Sequence, residues 1–167
     1  MFQSIVNSVS TAAARAGKGA LAGVLATAAM TASSTAEMKL RGRSASDAPS
    51  KAAGRVLGVQ PRNPEGAARF GNFVHWSYGT GWGAVGGILH GPLEPAVATL
   101  THFGSVWGTE VMMLPALDVA PPLPEWGERE IAIDIFHHAV YVVAFAAAWA
   151  LLQASDDRPA WKKLFSS

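Results

Sequence analysis

The stretch IAIDIFHHAVYVVAFAAAWALLQ, Ile131 to Gln153, is the strongest constraint on this chain. It is apolar except for Asp134, His137, His138, Tyr141 and its last residue. A helix needs about 20 mostly apolar residues to cross a bilayer, and it satisfies its backbone polar groups internally. Such a run predicts a buried or membrane-spanning helix, and composition decides between the two. Only 15% of the 167 residues are charged while 50% are hydrophobic; soluble domains carry about 25% charge. So little charge cannot clothe a water-facing shell. The expected fold is all-α, a bundle of four transmembrane helices.

The spans expected are 19–38, 70–90, 93–114 and 130–153, in one integral membrane domain covering 1–167 with a polar loop at 39–69. The first span, rich in Ala, Thr and Ser, has signal-peptide features, with Arg15 and Lys18 ahead of it and Ser34-Thr35-Ala36 behind. The expectation adopted is a retained helix. Ahead of it, Phe2, Ile5, Val6, Val9 and Ala13 recur at helical spacing and predict an amphipathic helix lying at the membrane interface.

In the polar loop, Ser46 or Asp47 caps a short helix that carries Pro49 in its first turn and stops at Gly58. Asn63 and Pro64 then open the second long helix as N-cap and first residue. The prolines of LPALDVAPPLPEWG stop the third. Trp161 beside Lys162 and Lys163 reads as an interfacial anchor. Basic residues favour the side of the 39–69 loop, which the positive-inside rule assigns to the cytoplasm.

A net charge of +1 argues against nucleic acid as a partner, since that needs clustered excess Lys and Arg. With no cysteine, a metal would rest on His, Asp and Glu.

The second span is full of glycine, the worst helix former after proline. Gly79, Gly83, Gly87 and Gly91 recur every fourth residue and make a smooth ridge, answered by Gly19 and Gly23 on the first span and Gly104 and Gly108 on the third. Lipid offers little hydrophobic drive between helices, so association depends on close backbone approach, which such small residues allow. These glycines are expected to be packing seams.

The same ridge carries His75, and an ionisable group inside a span is a functional candidate. Glu130, Asp134, His137, His138 and Tyr141 form a polar stripe along the last span, while Glu37 and Glu110 lie near the ends of the first and third. At 1.5 Å per residue, Glu37, His75, Glu110 and Asp134 fall roughly 5–8 Å below one surface. Convergence of Glu37, His75, Glu110, Asp134, His137 and His138 is therefore expected, with Tyr78, Glu130 and Tyr141 as supporting residues. That donor set suits Fe, Mn or Zn. The same groups also suit a structural hydrogen-bond network, or proton, quinone, pigment or haem handling. His90 and His102 fall outside the cluster.

The strings AEMKLRGRSASDAPSKAAGRVLG, VHWSYGTGWGAVGG, WGTEVMMLPALDVAPP and EIAIDIFHHAVY resemble small polytopic membrane proteins of bacteria. More distantly the layout is similar to the YagU-type inner-membrane proteins, although their proline-and-arginine segment is absent after Glu37. The resemblance implies the bacterial cytoplasmic membrane and carries no activity with it. Two functions are expected in competition. One is an accessory or structural subunit packing through its glycine grooves against itself or a larger membrane complex. The other is metal binding, possibly at two metals, or proton handling at the acidic–histidine cluster.

Overall fold

Proline-free and rich in alanine, the N-terminal segment forms one unbroken helix, α1, from Phe2 to Arg41. The expected division into an interfacial helix and a separate span is thus corrected: no residue near Gly17 breaks the hydrogen-bond ladder. Gly42 ends α1 in the left-handed conformation, and the turn closes through a hydrogen bond from Arg43 N to Met38 O. A computed structural model describes residues 1–156, so the Trp161, Lys162 and Lys163 anchor lies outside the described residues.

Four more helices follow: α2 (Ala48–Leu57), α3 (Pro64–His90), α4 (Pro95–Ala116) and α5 (Glu128–Asp156). A single 3-10 turn, Leu123–Glu125, precedes α5, and no strand occurs among the described residues. Asp47 stands at the N-cap of α2 and Gly58 closes it with positive φ. The Asn63 side chain accepts from Gly66 N at the start of α3. α4 ends at Ala116, inside the proline-bearing stretch expected to stop it; Pro115 lies in its last turn, and the chain turns away at Asp118, with φ of 51°.

α1 packs along α3 on one side and α5 on the other, while α4 closes the bundle against α3 and α5. The α1–α3 seam is glycine on glycine. A Cβ added at Gly23 would stand 2.7 Å from the Gly83 Cα, and one at Gly87 would stand 2.8 Å from the Gly19 Cα. Nothing larger than hydrogen fits between these backbones. Thr27 fills the next turn opposite Gly79. Gly104 and Gly108 are a correction: a Cβ added at either would meet no neighbouring element within 4 Å, so they form no seam inside this fold.

The core is small, built on Ala22 and Ala26 of α1, Val106 of α4, and Tyr141, Val142, Phe145, Ala148 and Trp149 of α5. Buried with it are His102, His137 and His138, while Phe73, Leu100, Met112, Val143 and Leu151 are exposed. Two helices, Phe2–Arg41 and Glu128–Ser155, are long and apolar enough to cross a membrane. α3 and α4 have 27 and 22 residues, but their glycines and histidines dilute the hydropathy.

Candidate metal centre

Adjacent residues on a helix point about 100° apart, so His137 and His138 of α5 cannot serve the same neighbour. His138 faces α4 and His137 faces α1. The His138 Nε2 lies 2.6 Å from Glu110 Oε2 on α4. Its Nδ1 lies 2.9 Å from the Asp134 backbone carbonyl, one turn earlier on α5. A carbonyl only accepts, so Nδ1 carries a hydrogen and donates it. In a neutral ring Nε2 is then a bare lone pair, and it faces a carboxylate oxygen.

At that distance a protonated ring donates its Nε2 hydrogen directly to the carboxylate, and a metal ion would take the place of that proton. The Asp134 carboxylate completes the cluster: its Oδ1 is 3.6 Å from His138 Nδ1, and its Oδ2 accepts from the Trp107 indole at 2.7 Å. One ligand-type atom from each of Glu110, Asp134 and His138 falls within 4.8 Å of the others. Two carboxylates and one imidazole form a donor set suited to iron, manganese or zinc. Holding the imidazole through its other nitrogen, and a carboxylate through an indole, is how metal ligands are aimed.

His75 of α3 stands beside this group, within electrostatic reach of Glu110 and His138. Its Nε2 is 3.0 Å from Thr31 Oγ1, and the Thr31 hydroxyl donates to Thr27 O at 2.7 Å. With its one hydrogen spent, the Thr31 hydroxyl accepts from Nε2, which leaves the His75 Nδ1 as a lone pair.

Glu37 and His137 are not in this cluster, which corrects the expected single pocket. Glu37 Oε1 is 3.0 Å from both Arg41 and Arg43, and Glu37 Oε2 is bound by Arg43 as well. Arg41 also holds Glu130 at 3.0 and 2.5 Å. This is an ion network at the α1 and α5 ends, and Glu130 belongs to it. His137 Nδ1 pairs with Ser33 Oγ at 2.6 Å, and its Nε2 stays 3.9 Å from Glu37. Tyr141 is also elsewhere: it donates to Gly79 O at 2.6 Å and its ring packs on His102. Tyr78 stands edge-on to Trp82 and within electrostatic reach of Glu110.

Sequence reasoning missed Trp107 and Thr31. Trp107 precedes Glu110 by three residues, so both project from one face of α4, a spacing that could have flagged it. Thr31 shares the four-residue ridge of Gly23 and Thr27, and there small size masked a polar role. His102, buried completely, gives its Nε2 to Trp82 O at 3.0 Å, at a distance from the acidic group along the bundle. No protein family, curated protein or solved structure matches the chain.

Proposed function

We propose that this chain is a multi-pass protein of the bacterial cytoplasmic membrane whose helix bundle binds a divalent metal at Glu110, Asp134 and His138. Its four long helices cross the bilayer, with the 39–69 loop on the cytoplasmic side. The membrane part of this reading is supported by an inside-out distribution. Leu100, Met112 and Leu151 are each more than 70% exposed, while His102, His137 and His138 are at most 5% exposed. Water would reverse that order.

It is also supported by where the charges stop. From Lys18 to Glu37 α1 rises about 30 Å, the thickness of a hydrocarbon core. Between them α1 carries no charged residue.

One observation supports the metal: one ligand atom from each of Glu110, Asp134 and His138 lies within 4.8 Å of the others. The His138 Nε2, its partner nitrogen already donating, faces the Glu110 carboxylate at 2.6 Å, a hydrogen bond when the ring is protonated. A metal supplies Lewis acidity there when bound; a proton fills the gap otherwise. Glu110 and Asp134 neutralise the ion, His138 fixes its position, and His75 stands within electrostatic reach of Glu110 and His138. The test is elemental analysis of the detergent-purified chain. About one equivalent of Fe, Mn or Zn should accompany the parent and be absent from Glu110→Gln.

A second reading is favoured by the outer face of α4. Gly104 and Gly108 open onto it without a neighbour, between exposed Leu100 and Met112. That face suits close helix approach by a second copy or by a larger membrane complex, the accessory-subunit role. Disulfide cross-linking of Ser105→Cys chains in native membranes tests it: a cross-linked dimer is expected.

A further inference from the structure

Away from the acidic cluster, α3 and α4 bring two imidazoles together over one glycine. His102, completely buried, donates its Nε2 hydrogen to the Trp82 carbonyl at 3.0 Å. In a neutral ring its Nδ1 is then a lone pair, and it is buried without a hydrogen-bond partner among the described residues. That edge of the ring faces Gly86: a Cβ there would stand 2.4 Å from His102 Cε1 and 2.8 Å from Nδ1. His90 is one turn further along α3. A helical side chain leans over the residue four before it, so His90 leans over Gly86 as well, where no side chain bars it. Its Nε2 is also buried without a partner, and the two rings lie 6.1 Å apart, centroid to centroid. Phe145 packs on both, with Trp149 on His90 and Tyr141 on His102, which shuts the pair in an aromatic cage. No carboxylate among the described residues acts electrostatically on either ring.

We propose that His90 and His102 hold a copper(I) ion between them, His90 through Nε2 and His102 through Nδ1. Two unsatisfied nitrogens in an apolar interior carry a cost that one shared cation removes. The spacing admits it. With metal–nitrogen bonds of about 2.0 Å, an ion midway between rings 6.1 Å apart reaches one nitrogen of each. The donor set selects the ion. Zinc, iron or manganese would bring two charges into a cage with no acid to offset them, and two ligands leave their coordination shells unfilled. Copper(I) brings one charge, suits imidazole and is stable between two nitrogens in line. The bond to Trp82 aims His102 as an outer partner aims a metal ligand. His90 also lines a groove of about 400 Å³ with Pro95 and Gln153, which gives the ion a way in.

The full chain, purified in detergent, is titrated anaerobically with copper(I) against the chelator bicinchoninate, with excess zinc present to fill the Glu110 cluster. One copper per chain is expected, and its X-ray absorption should show two nitrogen ligands and no oxygen. His90→Phe keeps an aromatic ring in the cage and removes the nitrogen. It should weaken copper binding by more than the roughly 100-fold that loss of an outer partner costs. The absorption spectrum is read on the parent and does not depend on the variant folding. No copper uptake by the parent, parental affinity in His90→Phe, displacement by zinc, or oxygen ligands in the spectrum overturns the proposal.

Discussion

The Nε2 atom of His138 and the Oε2 atom of Glu110 lie 2.6 Å apart across the α4–α5 contact, with the His138 Nδ1 already given to the Asp134 carbonyl. Glu110 therefore holds whatever cation the pair shares. Replacing it by glutamine keeps the shape and removes the charge. Metal content of Glu110→Gln, measured by elemental analysis against protein concentration, is expected to fall about tenfold or more. An unchanged content would falsify the metal centre and leave the proton as the shared cation.

Trp107 acts at one remove, through the indole hydrogen it gives to Asp134 at 2.7 Å. Trp107→Phe should preserve helix content while weakening metal affinity about 10–100-fold, the usual cost of losing an outer partner. Competition with a chromogenic chelator measures it. Equal affinity in parent and variant would mean that Asp134 needs no support.

Glu37 gives the opposite expectation. Its carboxylate is taken by Arg41 and Arg43. Glu37→Gln should leave metal content as in the parent, because the ion network is separate from the Glu110 cluster. A loss of metal comparable to that in Glu110→Gln would place both acids in one site.

The two sets of glycines should respond with opposite sign to the same small change. At Gly83 a methyl group would meet the Gly23 backbone, so Gly83→Ala should cost about 1–3 kcal/mol and lower the melting temperature by several degrees. At Gly104 the methyl group meets open space, and Gly104→Ala should be neutral or gain up to about 1 kcal/mol from helix propensity. Thermal unfolding in detergent compares them directly. Equal effects would mean that the α1–α3 seam does not hold the bundle.

Topology is tested with single cysteines, since the chain has none. Ser50 is buried against Gly71, so exposed Ser44 is the better reporter for the loop after α1. Cysteines at Ser4 and Ser166 should react with an impermeant reagent from one side of the membrane, and one at Ser44 from the other. Labelling of Ser44 and Ser166 from the same face contradicts four crossings.

Much of the fold was legible because its signals are local. Asn63 before Pro64, and Gly58 at the end of a short helix, act through their own turns. The four-residue glycine ridge needs only the helical period to be seen. What could not be read was which neighbour each polar residue meets. His137 and His138 look equivalent in sequence, and only the positions of α1 and α4 assign one to Ser33 and the other to Glu110. Glu37 looked available because Arg43 lies beyond the helix end. The left-handed Gly42 turns the chain back and delivers that arginine to the carboxylate. The continuity of α1 was missed because its amphipathic start and its apolar span carry different patterns, whereas the alanines between them carry the helix through.

That continuity has a mechanical side. Forty residues of helix measure about 60 Å, roughly double the oily thickness of a bilayer. From Phe2 to Ala14 α1 touches almost nothing, and Phe2, Ile5, Val6 and Val9 lie bare along it. A free helix this short is marginal in water, because nucleation costs more than so few hydrogen bonds return. Its coil-to-helix balance is therefore set by whatever surface it rests on. The overhang works as a probe arm: folded where it finds an apolar surface, frayed where it meets only water, and rigidly joined to the helix that forms the glycine seam.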